Sequence, residues 1–233
     1  MLGLMLGCWF VYVPIHELLH CYGCIWTGGT VTELELQAHY GGNLLKPYFP
    51  FIVTGSEYAG RLSGFDTKGD DWIYLATDFG PFALSVLFGV SLLRLCARKR
   101  RPWLTAPAFV VGLAPFYNIQ GDYYEMGSTI VTRVLTLATG GGNPPRFEGL
   151  RSDDIFTLAP DILLNPAKLG LDPGFSTTLF ALLVFLLGMT LSVLLAFATY
   201  QMGDLVARLT IGPATPFTLP KPGKRRRKRK PAP

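Results

Sequence analysis

The chain has 233 residues, 49% of them hydrophobic, with a mean hydropathy of +0.32 and a formal net charge of +5. That is too apolar for an ordinary soluble domain of this length and fits a small polytopic membrane protein. The basic balance does not mark a nucleic-acid partner. Lys221 and residues 224–230 carry eight positive charges and no negative one, so +5 less 8 leaves −3 for the rest, and no aromatic side chain interleaves with the run for base stacking.

The first predicted element is a helix over about residues 1–26, long enough to span a bilayer. Residues 1–15 carry no charged side chain, and neither do residues 21–32. Between them stands His16-Glu17-Leu18-Leu19-His20, which holds two of the chain's three histidines. On a helix, residues four apart lie on one face. Two imidazoles so placed can bind one Zn²⁺, and Glu17 beside them can serve as the acid–base group. Ionisable groups are expensive in hydrocarbon, so their presence in a span marks a candidate functional site.

Cys21 and Cys24 read as small packing residues. Cys24 shares the histidine face, but eight residues of helix rise put it about 12 Å from His16, too far to join both histidines on one ion. Gly28-Gly29 ends the helix, and 30–37 alternates polar and apolar residues as a strand does. A second strand or an interfacial hairpin is expected within 44–56, giving a β segment over about 30–56. His39 falls in it and reads as a surface histidine.

A second span is expected over 72–96, with Asp78 close to the interface and Phe79-Gly80-Pro81 near its start. A third covers 102–121, free of charge over twenty residues but interrupted by Pro107 and Pro115, and it runs into Asp122 and Glu125. A helix to about Thr139 follows. Ser152-Asp153-Asp154 reads as a helix start in a Gly- and Pro-rich surface stretch. The fourth span, 176–203, has no charged residue in 28. The fold class is therefore mostly α: a polytopic membrane protein of about four transmembrane helices with a small membrane-associated β segment. Residues 1–212 form the embedded core. Residues 213–233 form a disordered polybasic tail suited to anionic headgroups of the cytoplasmic leaflet.

A tetrahedral catalytic zinc needs a third protein ligand beside two histidines, with the fourth position left for water. Asp122 is the preferred candidate, because the first and third spans run in the same direction and it ends the third. Glu125, one turn on, is the second choice, and Asp78 remains open.

The stretch from about residue 10 to 130 resembles the site-2 protease family of intramembrane zinc metalloproteases. Beyond His16, Glu17 and His20, the residues that carry the likeness are Cys24, Gly28 and Val31, spaced as in that family, and Phe79-Gly80-Pro81-Phe82-Ala83. Leu84 stands where the family has Asn. Asp122 is the counterpart of the family's aspartate ligand, although Gly121 precedes it, Ala114 and Tyr117 occupy the family's Asn and Pro positions, and Asn118 and Pro115 are shifted. The resemblance implies a multi-pass protein of the cell (inner) membrane. It implies Zn²⁺ on His16, His20 and Asp122, Glu17 as the catalytic group, and a membrane-spanning protein as substrate. The departures at Leu84 and around Asp122 leave an alternative, a family-like membrane scaffold or substrate-binding protein without turnover.

Overall fold

The computed structural model describes residues 2–55, 57–99, 101–140 and 147–212. The expected polybasic tail over 213–233 lies outside them. Helix α1 (Leu2–Thr27) runs without interruption through Pro14. After a turn comes strand β1 (Thr30–Leu36), then a short helix α2 (Gly42–Leu45), a two-residue strand β2 (Ile52–Val53) and strand β3 (Gly60–Asp66). Their order in the sheet is β2-β1-β3, with β2 parallel and β3 antiparallel to β1. The β segment thus extends ten residues beyond the expected end at 56, and its second long strand is β3. Leu34, Leu36 and Ile52 are fully buried on one face of this sheet, against Val13 and Cys21 of α1.

The second span is one continuous rod, Asp71–Lys99. It comprises α3 (Asp71–Phe79), a 3₁₀ turn at Gly80–Phe82, a π-helical turn at Ser85–Gly89 and α4 (Val90–Lys99). Asp70 caps it, accepting a hydrogen bond from the Trp72 amide. Gly80 is there because two backbones meet: a Cβ on it would run into the Leu19 carbonyl and stand 3.5 Å from the His20 nitrogen.

The third apolar stretch differs from a simple span. It forms α5 (Pro102–Gly112), breaks at Leu113, resumes as α6 (Ala114–Tyr117), and turns into α7 (Asp122–Ala138). Pro115 cannot donate to the preceding turn, so the break falls where the sequence removes a hydrogen bond. The Asn118 carbonyl accepts from both Gly121 and Tyr123 and holds the turn into α7. Among the described residues, three helices are therefore long and apolar enough to cross a membrane: Leu2–Thr27, Asp71–Lys99 and the last one, Phe175–Ile211.

Helix α8 (Ile155–Leu164) starts where Ser152-Asp153-Asp154 predicts. The Asp154 carboxylate accepts from the Thr157 hydroxyl at 2.6 Å and from the Phe156 amide, which holds its pKa below the usual carboxylate range. Helix α9 (Phe175–Ile211) is 37 residues long. At about 1.5 Å per residue it measures roughly 55 Å and exceeds a bilayer's hydrocarbon core. Its far end is polar: Asp204 pairs with Arg94 of α4 and Arg208, and Arg98 donates to the Ile211 carbonyl. Small residues of α7 and α9 pack closely, with Ser128, Gly188, Ser192 and Ala196 buried at the seam.

Candidate metal centre

Helix geometry sorts the residues of α1. At 100° per residue, His16 and His20 lie 40° apart, while Glu17 is turned 100° from His16 toward the stripe of Val13 and Cys21 that covers the sheet. The histidines accordingly face α3 and α7, and Glu17 faces β3. The structure realises this. A Cβ on Gly60, the first residue of β3, would stand 2.5 Å from Glu17 Cγ and 3.0 Å from its carboxyl carbon. The absence of a side chain at Gly60 is what leaves room for the Glu17 carboxylate.

His16 and His20 are 9% and 8% exposed. Each has its Nδ1 engaged. The Tyr12 hydroxyl, one turn earlier on α1, lies 3.1 Å from His16 Nδ1, and the Thr77 carbonyl of α3 accepts from His20 Nδ1 at 2.8 Å. Phe82 sets its ring edge-on to His16 at 5.8 Å between centroids. These contacts fix both ring orientations and leave Nε2 of each pointing into the same space, 3.2 Å apart.

Asp122 enters that space from the first turn of α7. Its Oδ2 is 3.2 Å from His16 Nε2, and its Oδ1 is 3.7 Å from His20 Nε2. Oδ2 is buried and makes no hydrogen bond. The ligand atoms of His16, His20 and Asp122 all lie within 4.8 Å of one another, and no other group of this kind stands out among the described residues. Bonds of ~2.0–2.1 Å at tetrahedral angles put zinc ligands about 3.3 Å apart. Two imidazole nitrogens and one carboxylate at 3.2–3.7 Å, with both outer nitrogens hydrogen-bonded, are thus a donor set that fits zinc.

The other candidates are not part of this group. Glu125, one turn on, accepts a hydrogen bond from Tyr74. Cys24 is buried and directs its thiol to the Thr30 carbonyl at 3.7 Å. His39 is exposed. Asp78, on α3, is 5% exposed, and its Oδ2 has no hydrogen-bond partner.

The centre opens into a cleft of about 580 Å³. Its walls are β3 from Gly60 to Phe65, α3 at Tyr74, Thr77 and Asp78, the start of α7, and residues 151–153. Strand β3 is an edge strand of the three-stranded sheet and turns toward this cleft. Leu84 packs into the apolar cluster around Tyr12 and Phe82 and brings no polar group to the site.

Sequence reasoning did not single out Tyr12, Thr77, Gly60 or β3. Tyr12 carries a signal that could have found it, since it stands four residues before His16. The Thr77 carbonyl carries none, because a backbone contact across 57 residues leaves no trace in residue type.

Comparison with models of known families, with curated proteins and with solved structures yields no match to this chain.

Proposed function

We propose that the protein is a zinc metalloprotease of the site-2 protease type. It is a multi-pass protein of the cell's inner membrane that hydrolyses peptide bonds in or near a membrane-spanning segment of its substrate. The observation that carries this reading is the meeting of His16, His20 and Asp122 at 3.2–3.7 Å beside Glu17, at the end of a cleft bordered by an edge strand. A zinc ion on those three side chains would polarise the scissile carbonyl and lower the pKa of water toward ~7. Glu17 takes the proton of the attacking water and returns it to the leaving amine nitrogen. The Thr77 carbonyl, which can only accept, holds His20 in the tautomer that presents Nε2, and Tyr12 orients the His16 ring. A substrate helix protects its own carbonyls by hydrogen bonds, so it must unwind before hydrolysis. The free edge of β3 offers the unwound chain a strand to pair with beside Glu17.

The test is the Glu17→Gln variant of the full chain, purified in detergent and assayed for zinc and for cleavage of reporter proteins carrying a membrane span. Zinc content stays at the native level and cleavage falls by about 10²–10⁴-fold, the contribution of general acid–base catalysis. Cleavage at the native rate by Glu17→Gln would remove the reading.

A further inference from the structure

The cleft carries more carboxylates than hydrolysis needs. Six line it: Glu17, Glu35, Asp78, Asp122, Glu125 and Asp153. Asp122 belongs to the metal centre and Glu17 to the chemistry. Two guanidinium groups share the cleft. Arg151 is held by Asp71 at 2.8 Å and by the Thr132 hydroxyl at 3.0 Å, and Arg61 lies over the Tyr58 ring at 5.4 Å. Glu35 comes from β1, and that leaves Asp78 of α3 and Glu125 of α7 as two carboxylates of the same cleft, with the exposed Asp153 at the lip.

Asp78 is the telling member. A carboxylate 5% exposed whose Oδ2 meets no donor is costly, and proteins rarely leave one without a reason. Here the orphaned carboxylate belongs to a cleft wall. Glu125, which lines the same cleft, accepts a hydrogen bond from the Tyr74 hydroxyl, one turn before Asp78 on α3. A second metal ion does not answer this arrangement, because the only group of metal-ligating atoms close enough together among the described residues is His16, His20 and Asp122. An extended organic cation does answer it. It can bring several N–H donors through an open cleft to the carboxylates that line it.

We infer that Asp78 and Glu125 form a cation subsite next to the metal centre, and that the substrate places a lysine or arginine side chain there, close to the scissile bond. Segments that cross membranes are commonly flanked by such residues, so the subsite would select the basic end of a substrate span. This inference rests on the proteolytic reading for the word substrate, and its test is chosen to separate the two.

The test reads binding, not turnover. The full-length Glu17→Gln protein, loaded with zinc in detergent, is titrated into two fluorescently labelled apolar peptides, one with a single internal lysine and the other with norleucine in its place. Each peptide is prepared with a free and with an acetylated amino terminus. The lysine peptide binds about tenfold more tightly, the gain expected of a charge-assisted hydrogen bond. Asp78→Asn and Glu125→Gln, each added to Glu17→Gln, abolish that preference and leave norleucine-peptide affinity in place. Asp153→Asn at the exposed lip reduces it, and carries the test together with Glu125→Gln if Asp78→Asn does not fold. Equal affinity for the two peptides overturns the inference, as does a lysine preference that survives both Asp78→Asn and Glu125→Gln. A preference that follows the free amino terminus overturns it as well. A lysine preference in a protein whose unsubstituted form cleaves neither peptide nor reporter upholds the subsite while removing the proteolytic reading.

Discussion

The histidine cradle and the cleft wall beside it are both built of buried polar groups, but they are finished differently. In the cradle the outer nitrogens are engaged: Tyr12 meets His16, the Thr77 carbonyl meets His20, and the ring planes are fixed. What is left facing inward is two nitrogens and a carboxylate at spacings a tetrahedral ion requires. In the wall, Tyr74 holds Glu125. Each place keeps one carboxylate oxygen without a donor, Asp122 Oδ2 in the cradle and Asp78 Oδ2 in the wall. Only in the cradle do two oriented imidazole nitrogens stand beside that oxygen. The difference teaches that burial alone does not define a site; what surrounds the unsatisfied atom does. A set of converging ligand atoms suits a resident ion. Carboxylates without such partners suit a ligand that comes and goes.

The largest effects should come from emptying the cradle. His16→Ala and His20→Ala each remove one of three ligands, and both should abolish stoichiometric zinc and cleavage together, measured by metal analysis and reporter cleavage. Glu125→Ala leaves zinc in place on this account, and that contrast sharpens the division between cradle and wall.

Next in size is the orienting shell. Tyr12→Phe removes the hydroxyl from His16 and keeps the ring's packing. Zinc affinity should fall about 10–100-fold, the usual cost of losing a partner of this kind, as read by competition with a chelator. An unchanged affinity would mean that Phe82 packing alone sets the His16 ring.

Smaller still are changes on the sheet side. Gly60→Ala places a methyl against Glu17 and should lower kcat by roughly tenfold while zinc content stays native. A proline scan over Arg61, Leu62 and Ser63 of the β3 edge should, at the positions whose backbone N–H a docked strand would use, slow cleavage of a membrane-spanning reporter without releasing zinc. Native cleavage by all three variants would remove strand pairing from the account.

The parts of the molecule legible in the sequence are those written in residue type at fixed spacing. Helices α1 and α9 follow from long uncharged runs. The pairing of His16 with His20 follows from helical period, and Asp122 stands out as the first charge after twenty apolar or neutral residues. The start of α8 follows from its capping residues. Strand β3 was not legible, because Gly60-Arg61-Leu62-Ser63-Gly64 lacks the β-branched alternation of a strand and takes its conformation from pairing with β1. The third stretch was read as one span although Pro107 and Pro115 lie in it; the break at Leu113 is decided by how α6 and Asn118 turn the chain into α7. The burial of Asp78 comes from the packing of α1 and α7 against α3, which is not a property of local sequence.

The central claim is that His16, His20 and Asp122 hold one zinc ion. X-ray absorption at the zinc edge of the full chain, combined with metal analysis of Asp122→Ala and Glu125→Ala, tests it most directly. The account predicts one zinc per chain with two imidazole nitrogens and oxygen in its shell, lost in Asp122→Ala and retained in Glu125→Ala. A shell containing sulfur, or tightly held zinc in Asp122→Ala together with its loss in Glu125→Ala, would contradict it.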